Sequence, residues 1–294
     1  MELLELTLDA HHHLWQYNDR DYVWMSGEMT ALRRDFLVPD LEEVMRESGV
    51  DGTVAVQARQ MTEETEWLLD LAARNAFIRG VVGWVPLADP DAGEYLERFA
   101  QNPKLKGVRH VLHDEPDDAY MLRDDFDRGI SLLPAFGLAY DILIFERHLP
   151  QTLAFVDRHP GQVFVVDHIA KPRIKARLLS PWRERMQELA RRENVYCKVS
   201  GMATEADWSA WTADDLRPYF DAVLSAFGPK RLMFGSDWPV LTLAGGYKTW
   251  MDTFRSFIAE LSVDEQEGMR RGTAIPMPAA GRSTRAATGT TSSA

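Results

Sequence analysis

Apolar segments of strand length alternate with amphipathic segments of helical length along most of the chain. Seven of the apolar segments follow a helix-like segment, as GTVAVQA (52–58) follows DLEEVMRESG (40–49), and an eighth, LELTLDAHHH (4–13), comes first. This alternation is typical of parallel strands joined by helical crossovers. Eight units in about 250 residues predict the α/β class and a single closed (β/α)8 TIM barrel. An open doubly wound sheet is the alternative, and it is weakened because no GxGxxG motif follows the first strand.

The first predicted strand ends in three consecutive histidines. Leucines occupy every second position before them, at Leu4, Leu6 and Leu8. Because side chains alternate between the two faces of a strand, we expect the leucines to pack against helices and Asp9, His11 and His13 to share the opposite, inward face. His12 would then point away from that face. Two imidazoles on one face of a rigid strand can supply two ligands of a metal site.

Composition and charge narrow the class of protein. The chain has 294 residues, 45% of them hydrophobic, and a formal net charge of −12. This acidic balance argues against nucleic acid as a partner, because nucleic-acid binding needs clustered Lys and Arg. No apolar run approaches the roughly 20 residues of a membrane span. We therefore expect a cytoplasmic protein that acts on a small molecule and does not bind a membrane, and the chain could form a homo-oligomer. The single cysteine, Cys197, indicates a reducing compartment and is expected to be a buried structural thiol.

The composition changes near the C-terminal end. Residues 1–272 are interpreted as one barrel domain without an internal linker. Residues 273–294 contain no acidic and no aromatic residue and consist mostly of Ala, Thr, Ser, Gly and Pro. A segment of this composition cannot bury enough apolar surface to offset the entropy of ordering, so we expect a disordered tail.

Polar side chains mark the ends of the predicted strands, where barrels of this kind hold their functional groups. The sixth strand ends with His168 in VVDHIAKP, and the eighth ends with Asp237 in FGSDWP. With His11 and His13 they make three imidazoles and one carboxylate, a set that suits one zinc-like divalent metal ion with an open position. Such an ion would polarise a carbonyl group and lower the pKa of water. Asp237 is then the expected general base.

Longer motifs at the same positions carry a resemblance to a known family. They are DAHHHLW, DYVWM, AVQAR, GVRHVLHDEPD, YDILIFERHLP, DHIAKP, CKVSGMATEADW and LMFGSDWPV. Together they resemble the sugar-lactonase branch of the amidohydrolase superfamily over about residues 7–274. The resemblance implies hydrolysis of an aldonolactone to its aldonic acid in carbohydrate catabolism. It assigns His11 and His13 to the first-strand histidine pair. It assigns His168 to the sixth-strand histidine and Asp237 to the eighth-strand acid.

One departure from the wider superfamily concerns the fourth strand. Dinuclear members carry a lysine at its end, often carbamylated, where this chain has Arg109 and His110. We therefore expect at most one divalent metal ion, with zinc as the first choice. Some members of the branch are thought to work without a tightly held metal, their histidines and arginines polarising the carbonyl directly, so the ion could be weakly held or dispensable.

Other strand-end residues are candidates for contacts with a sugar lactone. Two tryptophans could stack on its apolar face and six polar side chains could hydrogen-bond its hydroxyls: Trp24 and Trp84, and Gln57, Arg59, Arg109, His110, Asp141 and Lys198. Arg109 or Lys198 could also stabilise the tetrahedral oxyanion. For each of these residues the alternative is a structural ion pair or a core position. His148 and His159 flank a helix and are expected at the surface. The predicted catalytic residues are Asp237, His168 and Arg109.

Two other functions stay open at this point. The same superfamily includes metal-dependent nonoxidative decarboxylases, whose aromatic acid substrates would favour a flatter and more apolar mouth than one with Gln57, Asp141 and Lys198. A ligand-binding barrel without catalysis is the alternative from another class, and the intact set of strand-end groups weighs against it. Release of acid from lactones, or of carbon dioxide from aromatic acids, would separate the three.

Overall fold

The computed structural model describes residues 6–25 and 27–271. In this part of the chain eight parallel strands form one sheet and follow one another in chain order. They are β1 (Leu8–His12), β2 (Gly52–Val56), β3 (Ile78–Gly83), β4 (Leu105–Val111), β5 (Ala139–Leu143), β6 (Phe164–Val166), β7 (Val195–Val199) and β8 (Leu232–Phe234). The predicted boundary near residue 272 and the predicted tail, residues 273–294, lie outside the described residues.

The sheet closes into a barrel between its first and last strands. The backbone amide of Asp237 donates to the carbonyl of His11 at 2.8 Å. The amide of His13 donates to the carbonyl of Trp238 at 2.7 Å. The segment that follows β8 therefore pairs with the end of β1, which confirms the predicted (β/α)8 barrel and brings the ends of the first and eighth strands together.

Helices lie between consecutive strands and after the last one. They are α1 (Val38–Ser48), α2 (Thr62–Arg74), α3 (Ala92–Ala100), α4 (Asp124–Phe136), α5 (Leu149–Arg158), α6 (Trp182–Leu189), α7 (Ala213–Phe227), α8 (Tyr247–Ile258) and α9 (Val263–Arg270). Helices α8 and α9 are not predicted by the alternation of strand-like and helix-like segments. Helix α8 buries Trp250, Met251, Phe254 and Ile258, a spacing that places its apolar side chains on one face. Within the described residues no helix is both long and apolar enough to cross a bilayer.

The first strand corrects one prediction. The pairing of β1 with β2 shifts by one residue between Asp9 and His12, so β1 accommodates one extra residue there. The Asp9 carboxylate accepts hydrogen bonds from the hydroxyl of Ser236 at 2.6 Å and from the hydroxyl of Tyr247 in α8 at 2.7 Å. Asp9 therefore faces a helix and the turn after β8, and it ties both to the first strand.

The same shift changes the face on which the neighbouring residues lie. Ala10 belongs to a small apolar cluster with side chains on or next to β5, β6, β7 and β8, namely Ala139, Val163, Val165, Tyr196 and Met233. Leu6 is 44% exposed, so the predicted packing of the leucines against helices is wrong at this position. The expectation that Asp9 shares a face with His11 and His13 is also wrong, because the extra residue separates them. His12 does point elsewhere, with Nε2 at 2.7 Å from the hydroxyl of Thr53.

Candidate active site

A cavity of about 530 Å³ opens at the carboxyl ends of the strands. Its walls come from the loops after β1, β2, β4, β5, β6, β7 and β8. Four of the predicted catalytic or metal-binding residues reach its surface: His13, Arg109, His168 and Asp237. The volume is in the range of sites that enclose one small molecule.

The four predicted metal ligands meet at the floor of this cavity. Nε2 of His11 and Nε2 of His13 are 3.2 Å apart. Oδ1 of Asp237 lies 3.3 Å from Nε2 of His13, 3.7 Å from Nε2 of His11 and 3.8 Å from Nε2 of His168. Ligand atoms about 2.0–2.1 Å from a tetrahedral zinc ion lie about 3.3–3.4 Å from one another. His11, His13 and Asp237 form a group that could hold one divalent metal ion, and His168 lies beside Asp237 at the edge of this group.

Hydrogen bonds behind two of the rings leave the facing nitrogens free to act as ligands. Nδ1 of His13 donates to the carbonyl of Val56 at 2.8 Å, and Nδ1 of His168 lies 2.9 Å from the hydroxyl of Ser200. A neutral imidazole with its proton on Nδ1 has its lone pair on Nε2. Backing of this kind is usual for imidazoles that bind metal ions. The donor set therefore fits a metal in chemistry as well as in spacing.

Burial and neighbouring charges set the protonation of the cluster. Burial holds the pKa values of His11 and His168 well below the ordinary value, and the neighbouring carboxylates only partly offset it. Burial would raise the pKa of Asp237, but interactions with His168 and His13 and the positive charge of Lys171 outweigh this effect, and the pKa lies below its ordinary value. Neutral imidazoles and an ionised carboxylate are the states in which these side chains bind metal.

Unusual backbone conformations place two of the ligands. Residues 168–171 are four consecutive non-glycine residues in the left-handed region, with φ between 46° and 59°, and Asp237 has a φ of 58°. Such conformations are costly and persist where the surroundings fix them. The indole N–H of Trp182 donates to the carbonyl of Ile169 at 2.7 Å. Gly201 passes so close to His168 that a Cβ at position 201 would lie 2.7 Å from its Cβ, Cγ and Nδ1.

Four buried charged side chains lie behind His11, and we call them the inner charge network: Arg109, Asp141, Asp167 and Lys198. Asp167 accepts a hydrogen bond from Nη1 of Arg109 at 2.9 Å and lies 3.0 Å from Nζ of Lys198. Lys198 also pairs with Asp141. Nδ1 of His11 lies 3.3 Å from both Asp167 and Lys198. The network balances two cations against two carboxylates, and none of its members is more than 3% exposed.

The structure does not bring five of the predicted substrate contacts to the cavity surface: Gln57, Trp84, His110, Asp141 and Lys198. Gln57 instead accepts a hydrogen bond from Nη2 of Arg109 through Oε1 at 2.9 Å. The indole N–H of Trp84 donates to Nδ1 of His110 at 3.3 Å, and Nε2 of His110 lies 2.6 Å from Glu115. These side chains are engaged with protein partners, so their contacts favour a supporting role over direct binding.

The cavity wall contains two of the predicted contacts and several residues that the sequence analysis missed. Trp24 and Arg59 line it, and their role in substrate binding stays a prediction. Lys171, Glu205 and Phe145 line it as well. Lys171 and Glu205 lie within the motifs DHIAKP and CKVSGMATEADW, so their charged side chains beyond a strand end were a usable signal.

Two histidines expected at the surface are buried, so that prediction is wrong. Nε2 of His148 lies 2.9 Å from Asp118, and Nε2 of His159 lies 3.0 Å from Asp127. Each ring joins the end of a helix to an acidic side chain about 30 residues earlier. Cys197 is buried as expected, and burial raises the pKa of its thiol.

Comparison with known proteins identifies the family. A protein-family model described as Amidohydrolase matches residues 8–277. The chain belongs to the amidohydrolase family. The match spans all eight strands and the residues at the floor of the cavity, which agrees with the resemblance seen in the motifs.

Relatives of this amidohydrolase cover nearly its whole length. It is 41% identical over 293 residues to an L-fucono-1,5-lactonase of Burkholderia multivorans, a match that covers 94% of this chain and 99% of the relative. It is 43% identical over 253 residues to an L-fucono-1,5-lactonase of Burkholderia ambifaria, covering 84% and 86%. A crystal structure of a Burkholderia multivorans amidohydrolase with bound zinc superposes with a TM-score of 0.88 at 41% identity, covering 93% and 99%.

A decarboxylase shares the fold at a much greater distance. The 2,6-dihydroxybenzoate decarboxylase from Rhizobium superposes with a TM-score of 0.64 at 14% identity, covering 92% of this chain and 96% of that one. A likeness at this level of identity shows a common barrel and carries no argument about the reaction.

Proposed function

We propose that this amidohydrolase is a lactonase that opens a sugar lactone such as L-fuconolactone to its aldonic acid. The observation that carries the proposal is that His11, His13 and His168 all lie within 4 Å of Asp237 at the floor of one cavity. The relatives that are L-fucono-1,5-lactonases at 41% and 43% identity support this choice of substrate class. The likeness to decarboxylases is confined to the fold, and no observation favours a barrel without catalysis.

The same four residues would hold one divalent metal ion, for which we propose zinc. When bound, the ion would polarise the lactone carbonyl and lower the pKa of a water molecule. The zinc-bound structure of the Burkholderia multivorans amidohydrolase supports this choice. Asp167 is a further carboxylate near His11, but Arg109 and Lys198 already neutralise it. This pairing favours one ion over two.

Asp237 carries the proton in the proposed reaction. Its lowered pKa keeps the carboxylate ionised near neutral pH, so it can accept a proton. As a water oxygen bonds to the carbonyl carbon, Asp237 takes one proton from that water. The bond between the carbonyl carbon and the ring oxygen then breaks, and Asp237 returns the proton to the ring oxygen. The product is the open hydroxy acid, and atoms and charge balance.

Arg109 is placed to stabilise the oxyanion that forms on the carbonyl oxygen. Its guanidinium lines the cavity, and Nη1 lies 3.3 Å from Nε2 of His11. Gln57 and Asp167 hold it from behind. A cation that is fixed before the reaction costs no reorganisation when negative charge develops. The wall residues Trp24 and Arg59 would contact the rest of the sugar lactone.

A panel of sugar lactones with 1,4- and 1,5-rings tests the proposal, with acid release followed at constant pH. We expect acid release from at least one aldonolactone, at a rate that Asp237→Asn reduces strongly. A protein that opens no lactone, or an Asp237→Asn variant as active as the parent, would contradict it. Carbon dioxide release from aromatic acids would instead favour the decarboxylase.

A further inference from the structure

Besides the groups described above, the cavity wall holds an ion pair, whose lysine contributes to the lowered pKa of Asp237. Nζ of Lys171 lies 3.0 Å from Oε1 of Glu205, and both residues line the cavity. Their side chains are only 16% and 21% exposed. The pair therefore presents its polar atoms to the cavity more than to bulk solvent.

Lys171 and Glu205 both have donors or acceptors that their ion pair does not use. An ammonium group has three N–H donors, and a carboxylate has about four lone-pair sites. The bond between Lys171 and Glu205 uses one of each. Arg59 in the same wall differs, because its guanidinium is paired with both Asp21 and Glu64. Lys171 can thus donate to a ligand without losing its protein partner.

The segments that hold the pair also hold His168. Lys171 ends the left-handed run that begins at His168, and its amide donates to the His168 carbonyl at 2.8 Å. Glu205 lies on the loop after β7, and Ser200, which backs the His168 ring, lies at the start of that loop. The pair therefore has a fixed position relative to the floor of the cavity.

We propose that Lys171 and Glu205 together bind two adjacent hydroxyl groups of the lactone and so select polyhydroxylated substrates. The inference rests on the proposed function. Lys171 donates to one hydroxyl oxygen and Glu205 accepts from the other hydroxyl. Hydrogen bonds to charged partners are stronger than neutral ones, and each sugar hydroxyl can donate as well as accept. A lactone without hydroxyls gains neither bond.

A second ion pair between the same two loops provides a matched control. Nζ of Lys175 lies 3.7 Å from Oδ2 of Asp207. These side chains are 69% and 48% exposed and are not among the residues that line the cavity. A lysine removed here tests what a loop-to-loop ion pair contributes by itself.

The experiment compares kcat/KM for L-fucono-1,5-lactone and for δ-valerolactone, a six-membered lactone without hydroxyls. In Lys171→Met and Glu205→Gln we expect kcat/KM for the sugar lactone to fall about 10- to 100-fold, while the value for δ-valerolactone stays within about threefold.

Three further variants serve as controls. Lys175→Met should match the parent on both lactones. Exchanging the pair, Lys171→Glu with Glu205→Lys, restores an ion pair between the loops and should not restore the preference for the sugar lactone. Lys171→Arg keeps charge and donors and should retain part of it.

Equal losses on both lactones, or full recovery in the exchanged variant, would overturn the inference and leave the pair a purely structural role. A parent that opens both lactones and a Lys171→Met variant that matches it would overturn this inference alone. A parent that opens no lactone of the panel would overturn the proposed function and this inference with it. If only the sugar lactone is opened, competitive inhibition by the corresponding open-chain acid and by 5-hydroxypentanoate gives the same comparison.

Discussion

The inner charge network and the cavity wall are both built from polar residues near strand ends, yet they differ in how their charges are used. In the network, Lys198 lies between two carboxylates and is 3% exposed. In the wall, Lys171 has Glu205 as its charged partner and is 16% exposed. Paired and buried charges fix geometry, whereas partly exposed charges with free donors can bind a ligand.

Position along the strand explains the difference. Asp141 and Lys198 lie inside β5 and β7, where each is paired with a residue of a neighbouring strand. Phe145 and Glu205 come two and six residues after the same strands and reach the cavity. In β5 and β7 the charged residues within the strand therefore support the site, and Phe145 and Glu205 beyond the strand line it. Arg109 belongs to both regions, because it lies in β4 and still reaches the cavity surface.

We expect the greatest loss of activity from a substitution at the floor of the cavity. Asp237→Asn keeps the size of the side chain but cannot take up and return a proton, so we expect kcat to fall about 10²- to 10⁴-fold. Initial rates of lactone opening measure it. Asp221→Asn, in an exposed ion pair with Arg217 on α7, serves as the control and should match the parent. An Asp237→Asn variant within about tenfold of the parent would remove the proton-transfer role.

The second prediction concerns the contribution of the inner charge network to stability. Lys198→Met leaves Asp141 and Asp167 buried without their shared cation, so we expect the free energy of unfolding to fall by about 3–5 kcal/mol. Denaturant unfolding measures it. Lys248→Met removes an exposed partner of Asp252 on α8 and should cost less than about 1 kcal/mol. Similar losses in both variants would erase the distinction between the network and a surface ion pair.

A third variant tests how His168 is positioned. Gly201→Ala would crowd the His168 ring, and Gly201 also has a φ of 63°. We expect kcat/KM to fall about 10- to 100-fold, because a displacement near 1 Å can cost that much. Gly228→Ala is the matched control, since Gly228 has a φ of 67° but nothing within 4 Å of a Cβ. Equal activity losses in the two variants would assign the effect to backbone strain alone.

The last prediction concerns KM and distinguishes the roles of two tryptophans, and here we expect the most modest change. Trp24 lines the cavity and Trp84 does not. Trp24→Ala should raise KM about tenfold through lost contact with the sugar ring. Trp84→Phe should leave KM unchanged and lower stability by about 1 kcal/mol, because His110 loses a hydrogen bond. Steady-state kinetics and thermal unfolding measure both. An equal rise in KM for Trp84→Phe would restore the expectation that both rings contact substrate.

Local pattern was enough to predict the barrel and the four residues at its floor. Strand and helix periodicities repeat in every unit, and the rule that strand ends face one rim joins His11, His13, His168 and Asp237 without any coordinates. No pattern in the sequence predicts the one-residue shift in the pairing of β1 with β2. It depends on partners far along the chain, such as Tyr247, which bonds to Asp9 across 238 positions.

The sequence also could not predict how deep in the barrel each strand-end side chain lies. Asp141 and Lys198 look like ligand-binding residues when strand ends are read in order, because the pattern gives the end of a strand only to within a few residues. The ion pair between them joins residues 57 positions apart, and no nearby sequence pattern indicates it. Lys171 and Glu205 were missed although both lie within the quoted motifs, because they lie on loops and the path of a loop depends on tertiary contacts.

We propose that His11, His13, His168 and Asp237 together hold one divalent metal ion at the floor of the cavity. The decisive experiment uses crystals of the full chain loaded with one equivalent of zinc and measured with X-rays on both sides of the zinc absorption edge. We expect a single anomalous peak at bonding distance from Nε2 of the three histidines and from a carboxylate oxygen of Asp237. A peak at another set of side chains, or none at this position in a zinc-loaded crystal, would contradict it.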